Sequence, residues 1–503
     1  MLDPTVLIFL TSGLFLGWSL GANDAANVFG TAVGSRMVRF TTAALICGVF
    51  VVLGAFFSGT GAALTLGKLG SVNALGGSFM AALAAGLTVL WMTKLGLPVS
   101  TSQAIIGSII GWNLFSDSYT DISSLLKILS TWIICPLLSA VIAALLFTLA
   151  KIFVRKIGVG LIRMDGYTRL ALILAGAFGA YSLGANNIAN VMGVFVPVAP
   201  FPDLQFGQDF SVSSAQQLFL VGGLAIAVGV FTYSKRVMMT VGSELMTLTP
   251  LAAWVAVMSH SIVLFLFASE RLEQLLANMS LPTIPLVPVS SSQAVVGAVI
   301  GIGMLQGGRE IQWPRIFGIV RGWAITPVIS CLFCFVGLYF LQNVFQQEVK
   351  RESSYLLSTR VLEKFQKEGI ETTGLNQLSN STFTSSAELV SVVSSIVPLS
   401  SQEGLKVVEL SLQKSLLITQ EKIASMDKKG LSSIQLDALN QLKGQSYNFP
   451  WQLGDSLAEI SSEWEIRGGG LKNKLHDRKI KQKLAYLYRI FNGEKNESFE
   501  FVF

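Results

Sequence analysis

The sequence predicts an all-α membrane protein that crosses the bilayer several times and carries a soluble C-terminal domain. Three observations predict this fold class: apolar runs of membrane-spanning length, an uneven distribution of charge, and a set of motifs that is written twice. A spanning helix needs about 17–25 residues. Apolar runs of comparable length recur at residues 5–20, 41–57, 79–92, 128–150, 167–183, 217–233, 251–268 and 322–341.

Charge separates the chain into two regions. Only 13% of the 503 residues are charged, whereas soluble domains carry about 25%. Residues 1–344 hold 16 Lys+Arg and 11 Asp+Glu, and residues 345–503 hold 20 and 19. The first region therefore has the composition of a membrane protein and the second that of a soluble domain. The net charge of +6 lies largely in the predicted cytoplasmic loops, so we expect no nucleic-acid partner.

Several motifs of the membrane region occur twice in the same order. GANDAANVFG (21–30) matches GANNIANVMG (184–193), and PVSTSQ (98–103) matches PVSSSQ (288–293). Gly54 matches Gly229, and Trp132 matches Trp323. The offset between copies grows slowly along the chain, as insertions would make it. We therefore divide the chain into membrane repeat 1 (1–150), a basic cytoplasmic linker (151–166), membrane repeat 2 (167–344) and a soluble, mainly helical accessory domain (345–503).

The distribution of Lys and Arg predicts that the second repeat is inverted. Basic residues favour the cytoplasmic side of a membrane, and threading five passes per repeat places 13 of the 16 basic residues there. An odd number of passes turns the second repeat upside down and leaves both termini outside the cytoplasm. Inverted repeats are typical of secondary transporters, whose substrate site lies near the midplane between the repeats.

The doubled serine phrases predict two helix N-termini inside the membrane. Proline suits the first turn of a helix, and Ser or Thr suits its cap. The apolar run that follows the first phrase has only about ten residues before Asn113, too few to cross the bilayer, so we expect broken or re-entrant helices. Helix N-termini bind anions. The predicted anion ligands are Ser100, Thr101, Ser102, Gln103, Ser290, Ser291, Ser292 and Gln293.

The doubled asparagine phrases predict a site for hard cations. Amide and carboxylate oxygens, together with carbonyls freed where a helix unwinds, are ligands of the kind that bind Na⁺ in transporters. Asp24 is an ionisable residue in an apolar segment and is therefore a functional candidate. A network of polar side chains that holds helices together is the alternative. The candidate residues are Asn23, Asp24, Asn27, Asn186, Asn187 and Asn190.

The residues around these motifs indicate how an anion would be bound and which other sites are absent. No Arg cluster accompanies the serine phrases, so a buried anion would need co-bound cations, which favours symport over an anion channel. His260 is the one His of the membrane region, and we interpret it as a hydrogen-bonding residue between helices rather than as a proton relay. The four cysteines lie in apolar runs and have no spacing typical of a metal site.

Together, GANDAANVFGTAVGS (21–35), GANNIANVMG (184–193), VMMTVGSELMTLTP and the doubled PVS(T/S)SQ resemble the inorganic phosphate transporter family, over about residues 1–344. The resemblance implies about twelve membrane segments in two inverted halves. It also implies uptake of inorganic phosphate with Na⁺, in the inner (cell) membrane, with no enzymatic activity and no cofactor besides the coupling ion. It maps the cation ligands to the asparagine phrases and the phosphate ligands to the serine phrases. Asn187 departs from the Asp that is frequent in the family, which leaves the number of coupled cations open.

Other functions remain open at this point. A proton-coupled phosphate transporter or a sulfate transporter keeps the same fold, and a membrane ligand sensor keeps the binding site without transport. A serine-nucleophile enzyme is disfavoured, since neither serine phrase has a base and an orienting acid beside it. Assembly into a homo-oligomer also stays open.

The C-terminal region carries no catalytic, nucleotide or metal motif. Helical spacing of apolar residues predicts helices at 384–397 and 404–426. After RGGG (467–470), a basic amphipathic stretch predicts a further helix. We expect a small helical accessory domain.

Overall fold

The computed structural model describes residues 4–492 apart from 71, 96, 98, 158–160, 200, 202–203, 207–209, 245, 247, 427, 429 and 469–470. The chain forms two compact units. The membrane unit consists of Met1–Ser116, Ile122–Glu270 and Ile284–Arg351. The C-terminal unit consists of Glu352–Phe503 together with two short segments, Asp117–Asp121 and Arg271–Thr283, from the region that the sequence assigned to the repeats.

The first 344 residues are mainly helical. A short hairpin joins β1 (Leu204–Phe206) to β2 (Phe210–Val212). The helices are α1 Pro4–Gly34, α2 Phe40–Ser58, α3 Thr60–Leu69, α4 Leu75–Lys94, α5 Thr101–Ser116, α6 Ile122–Ile157, α7 Leu161–Met192, α8 Ser214–Thr232, α9 Ser234–Glu244, α10 Pro250–Ala268, α11 Glu270–Asn278, α12 Ser291–Leu305 and α13 Trp313–Asn343.

Eight helices in the described part of the chain are long and apolar enough to cross a membrane, namely α1, α2, α4, α6, α7, α8, α10 and α13. Each apolar run predicted from the sequence falls on one of them. α5 and α12, which follow the serine phrases, have 16 and 15 residues and are shorter than a spanning helix. The membrane unit therefore combines long spanning helices with short ones that begin at the serine phrases.

α5 continues through Asn113, the residue at which the apolar run ends. The Asn113 Nδ2 donates to the Leu69 carbonyl at 3.1 Å inside the membrane unit. Within the segment 151–166, which the sequence assigns to a basic linker, α6 extends to Ile157 and α7 begins at Leu161. Residues 158–160 lie outside the described residues.

The helices of the two halves pack in matched pairs. α2 packs on α7, and its counterpart α8 packs on α1. α5 packs on α13, and its counterpart α12 packs on α6. In each pair the two partners come from different halves, and exchanging the halves reproduces the pattern. Neither half can therefore bury its apolar faces without the other.

Matched glycines allow the closest of these helix contacts. A Cβ added to any of these glycines would lie much closer to a backbone oxygen than the 3.0 Å below which real Cβ contacts essentially never occur, so only Gly fits. The distances from that Cβ to a carbonyl oxygen are 2.0 Å for Gly54 on Tyr181, 2.1 Å for Gly229 on Trp18, 2.1 Å for Gly107 on Pro327 and 2.1 Å for Gly297 on Pro136.

The C-terminal unit combines short helices with two small antiparallel sheets. β3 (Ser354–Leu357) lies between β4 (Ser381–Phe383) and β5 (Leu412–Gln413), and β6 (Leu416–Leu417) pairs with β7 (Ser446–Tyr447). Besides α11, its helices are α14 Thr359–Lys367, α15 Ser386–Ile396, α16 Ser401–Ser411, α17 Gln420–Ser425, α18 Ser433–Gln441, α19 Pro450–Ile460 and α20 Leu471–Phe491.

The single helix predicted over 404–426 is wrong. α16 ends at Ser411, and two strands intervene before α17. Leu412 pairs with Tyr355 of β3, and Leu416 is fully buried. Sheet pairing and burial outweigh the local helical spacing here. The helices predicted at 384–397 and after 467–470 are present as α15 and α20.

Polar contacts tie the two short segments into the C-terminal unit. The Ser385 hydroxyl donates to the Asp117 carbonyl at 2.8 Å, and the Tyr119 N–H donates to the Ser386 hydroxyl at 2.9 Å. The Arg478 guanidinium holds the Glu273 carboxylate through both oxygens, with Nη2–Oε1 at 2.7 Å. Glu273 is buried, so this bidentate pair anchors α11 to α20.

Candidate functional site

The serine phrases form two capped helix N-termini. The Ser100 hydroxyl accepts from the Gln103 N–H at 3.3 Å at the start of α5, and the Ser290 hydroxyl accepts from the Gln293 N–H at 3.2 Å at the start of α12. A segment without regular secondary structure precedes α12 over residues 281–290. Pro98 of the first phrase lies outside the described residues. The first-turn N–H groups of both helices are thus available inside the membrane unit, as the phrases predict.

The asparagine phrases lie within continuous helices rather than at breaks. α1 runs unbroken through Asn23–Asn27, and α7 runs through Asn186–Asn190. The expectation that the helix unwinds here is wrong, because the nonhelical backbone comes instead from the segments before α5 and α12. The Asn23 Nδ2 donates to the Val99 carbonyl at 3.3 Å.

The second asparagine phrase makes the matching contacts. The Asn186 Nδ2 donates to the Val287 carbonyl at 3.4 Å, and the Asn186 Oδ1 accepts from the Val289 N–H at 3.0 Å. In both halves, therefore, the first Asn of the phrase bonds to the nonhelical chain that leads into the short helix. The asparagine phrase and the serine phrase of one half are joined through backbone.

Side chains join each asparagine phrase to the serine phrase of the opposite half. The Asn27 Nδ2 of α1 donates to the Ser291 hydroxyl of α12 at 2.9 Å. The Asn190 Nδ2 of α7 donates to the Ser102 hydroxyl of α5 at 2.8 Å. Ser102 in turn donates to the Val289 carbonyl at 3.2 Å. All four phrases thus meet at one place, where both halves contribute equivalent groups.

All fourteen sequence-predicted residues are buried there, none of them more than 4% exposed. Several of their polar atoms have no hydrogen-bond partner in the structure, and a buried orphan costs about 1–3 kcal/mol. The orphans include the donors Thr101 Oγ1 and Asn187 Nδ2 and the acceptors Gln103 Oε1, Asn190 Oδ1 and Gln293 Oε1. Donors suit an anion and acceptors suit a cation, so the arrangement suits both.

The charge of the site is asymmetric. Asp24 is the one charged side chain among the fourteen residues, and it accepts from the Asn23 Nδ2 at 2.9 Å. In the second half the Asn187 Oδ1 accepts from the Asn190 Nδ2 at 2.9 Å. A buried carboxylate next to a bound anion is unfavourable unless cations compensate both charges. The donor set therefore fits an anion that enters together with a cation.

Two further residues reach the site that sequence reasoning did not place there. The His260 Nε2 of α10 lies 2.9 Å from the Ser291 Oγ, and its side chain is fully buried. The Thr93 hydroxyl of α4 donates to the Asn23 Oδ1 at 3.4 Å. Neither residue belongs to a doubled motif, so the sequence carries no signal for it. His260 does bond between helices, as interpreted.

The described part of the chain contains no group of three or more His, Cys, Asp or Glu side chains that could hold a metal ion. The four cysteines are free thiols.

A buried polar site shared between two halves of a helical membrane protein is the arrangement of a secondary transporter. Comparison with known proteins identifies the kind of transporter. The phosphate transporter family matches residues 20–272 and 277–491, and the chain belongs to this family. Its members are transporters rather than enzymes. The match extends beyond residue 344, where the resemblance in the sequence was expected to end.

Individual relatives agree with this assignment. A protein of Thermococcus kodakarensis assigned as a phosphate permease is 27% identical over 407 residues, covering 66% of this chain and 96% of its own. A protein of Haemophilus influenzae with the same assignment is 24% identical, covering 67% and 97%. A solved structure described as the sodium-dependent phosphate transporter covers 67% of this chain and 99% of its own, with a TM-score of 0.52 and 22% identity. It shares the fold.

Proposed function

We propose that this phosphate transporter is a Na⁺ symporter that carries inorganic phosphate through the site between its halves. One observation carries the proposal: two hydroxyl-capped helix N-termini from opposite halves meet in a buried site, and each is held by an Asn of the other half. Phosphate is tetrahedral and accepts hydrogen bonds in several directions. Two helix ends with their hydroxyl and Gln side chains supply donors from two sides. The proposed phosphate ligands are the eight residues of the serine phrases.

The proposed Na⁺ ligands are the oxygens of the asparagine phrases, with Asp24 as the charged one. Hard cations prefer such oxygens, and the orphaned Asn190 Oδ1 is an acceptor of this kind. A structure with the same fold is described as sodium-dependent, which supports Na⁺ as the coupling ion. Asn187 is neutral, so we expect the second half to bind a cation more weakly than the first half.

The burial of the site fits alternating access. No candidate ligand is more than 4% exposed, so the halves must move relative to each other before phosphate can enter or leave. We place the protein in the cell membrane with inverted repeats and both termini outside the cytoplasm, on the charge distribution of its loops.

A second candidate is proton-coupled transport. Asp24 is a buried carboxylate whose hydrogen-bond partner is the neutral Asn23, and such a group can carry a proton in place of Na⁺. Sulfate is the alternative cargo, because it has the same tetrahedral shape as phosphate.

Uptake of radiolabelled phosphate into proteoliposomes tests these assignments. The purified protein is given an inward Na⁺ gradient, an inward H⁺ gradient or neither, with and without excess sulfate. We expect uptake that depends on Na⁺ and is unaffected by sulfate. Asp24→Asn should abolish the response to Na⁺, whereas Asp165→Asn, an exposed carboxylate paired with Arg169, should not change it. Uptake driven by H⁺ alone would refute Na⁺ coupling, and sulfate competition would refute the selectivity.

A further inference from the structure

We propose that His260 is a positioning residue that turns the Ser291 hydroxyl into an obligate hydrogen-bond donor to bound phosphate. The inference rests on the proposed phosphate site. It concerns a residue that lies outside the doubled motifs and outside the set of ligands predicted from the sequence. His260 lies on α10, whereas Ser291 begins α12.

The Ser291 hydroxyl has two polar neighbours in the structure. The Asn27 Nδ2 lies 2.9 Å from the Ser291 Oγ, and the His260 Nε2 lies 2.9 Å from the same atom. All three side chains are buried. A serine hydroxyl has one hydrogen to donate and two lone pairs to accept with. The Asn27 amide nitrogen can only donate, so it occupies one of those lone pairs.

The tautomer of His260 decides where the hydrogen of Ser291 goes. The His260 Nδ1 has no hydrogen-bond partner. A hydrogen on Nδ1 would be a buried orphan N–H, and orphan donors are rarer in proteins than orphan acceptors. The hydrogen therefore belongs on Nε2, which donates to Ser291. With both lone pairs occupied, Ser291 has its own hydrogen free for the site.

The other hydroxyls of the site do not have two donors from other helices. Ser102 accepts from Asn190 and donates its own hydrogen to the Val289 carbonyl, at 3.2 Å. Ser290 accepts from the Gln293 N–H of its own helix at 3.2 Å and bonds to Ser292 at 3.1 Å, where either hydroxyl can be the donor. Thr101, the counterpart of Ser291, has no partner at its hydroxyl. Ser291 is thus the hydroxyl whose two accepting positions are both filled by donors from other helices, Asn27 and His260.

The sequence explains why only one half has this hydrogen bond from His to the serine phrase. At the offset of 175 that relates Gly54 to Gly229, the counterpart of His260 is Ala85. Alanine cannot donate to Thr101. The second half therefore presents a fixed donor to phosphate, while the first half presents a hydroxyl that can rotate. A donor fixed before the anion arrives loses less rotational entropy on binding than a free one.

Two substitutions at His260 distinguish hydrogen-bond donation to Ser291 from packing of the side chain. The amide nitrogen of Gln can take the place of His Nε2, whereas the shorter Asn corresponds to Nδ1 and does not reach Ser291. We expect His260→Gln to keep a KM for phosphate near that of the wild type. We expect His260→Asn to raise the KM by about three- to tenfold, because the Ser291 hydroxyl is then free to rotate and must be immobilised when phosphate binds. Uptake is measured in proteoliposomes, and thermal unfolding in detergent checks that each variant is folded.

The Ser291→Ala background tests whether His260 acts through Ser291. There, His260→Asn should have no further effect on the KM. If His260→Gln is as impaired as His260→Asn, or if His260→Asn still raises the KM without the Ser291 hydroxyl, the positioning role is overturned. If the wild type does not transport phosphate under any gradient, the proposed function fails first and this inference fails with it.

The tautomer can be observed directly. The chain has two His residues, so ¹⁵N-His labelling gives the signals of His260 and His476, which His476→Gln assigns. A hydrogen on Nε2 of His260 agrees with the proposal. A ring protonated at Nδ1 alone would overturn it, independently of any transport measurement.

Discussion

The close contact between Gly297 and Pro136 predicts that a single methyl group disables the site from a distance. Gly297 lies on α12, two turns after the start of the helix, and packs on the backbone of α6. In Gly297→Ala the new Cβ would meet the Pro136 carbonyl oxygen at 2.1 Å, whereas real contacts stay above 3.0 Å. α12 must therefore move away from α6 by about 0.9 Å to restore an allowed contact.

The size of this displacement sets the expected effects. Overpacking of this kind costs about 1–3 kcal/mol. A shift of about 0.9 Å would also displace Ser291 relative to Asn27, and their 2.9 Å hydrogen bond keeps its strength only within a few tenths of an ångström of its length. Misplacement of a binding group by about 1 Å can reduce a rate by about 100-fold. We expect Gly297→Ala to lower the unfolding temperature and to reduce phosphate uptake by at least about tenfold.

The chain offers both a counterpart and a control for this measurement. Gly107→Ala meets the Pro327 carbonyl at 2.1 Å on the other half and should behave like Gly297→Ala. Gly318 is helical with nothing within 4 Å of an added Cβ, so Gly318→Ala should leave stability and uptake unchanged or slightly improved. Thermal unfolding in detergent and uptake into proteoliposomes are measured for all three. Wild-type stability and uptake in Gly297→Ala would refute the reasoning.

Three further outcomes are expected. Asn190→Ala removes the donor to Ser102 and should weaken phosphate uptake as much as Asn27→Ala does, and equal uptake in Asn190→Ala and wild type would contradict the shared site. Arg478→Met leaves the buried Glu273 carboxylate unpaired. It should destabilise the C-terminal unit in thermal unfolding by up to about 3 kcal/mol. The double variant Arg478→Met with Glu273→Gln, which has no unpaired carboxylate, should be destabilised less. The hydrogen bond from Lys406 lowers the pKa of Glu368, so this pair stabilises the fold above the ordinary carboxyl pKa and stops doing so as pH falls through the lowered value. In an NMR titration, Lys406→Met should move the pKa of Glu368 back up.

The doubled motifs made it possible to predict from sequence most of the residues that meet at the candidate site. A motif that recurs in order marks groups that a pseudo-symmetric fold brings together, and Asn27 and Ser291 meet across 264 residues of chain. The apolar runs likewise predicted the spanning helices, since length and hydropathy alone decide whether a helix can cross a bilayer. Both kinds of signal are local in the sequence.

What the sequence could not predict depends on tertiary contacts. His260 and Thr93 reach the site because α10 and α4 pack beside it, and neither residue has a doubled counterpart to mark it. The Asn113 amide of α5 donates to the Leu69 carbonyl, which lies 44 residues earlier in the chain. The strands at 412–417 form because Leu412 finds a partner in β3. In each case a contact with a distant segment outweighs the local pattern.

Two departures from two-fold symmetry at the candidate site lie close together. Asp24 and Asn27 are three residues apart on α1, so they lie on neighbouring positions of one helix face. Asn27 donates to Ser291, and His260 contacts the same hydroxyl. In the other half, Asn187 replaces the carboxylate and Ala85 replaces the imidazole. The charged candidate cation ligand and the fixed candidate phosphate donor are therefore linked through Asn27. If a cation binds at Asp24 as proposed, it would act on the proposed phosphate donor through Asn27 and the hydrogen bond from Asn27 to Ser291.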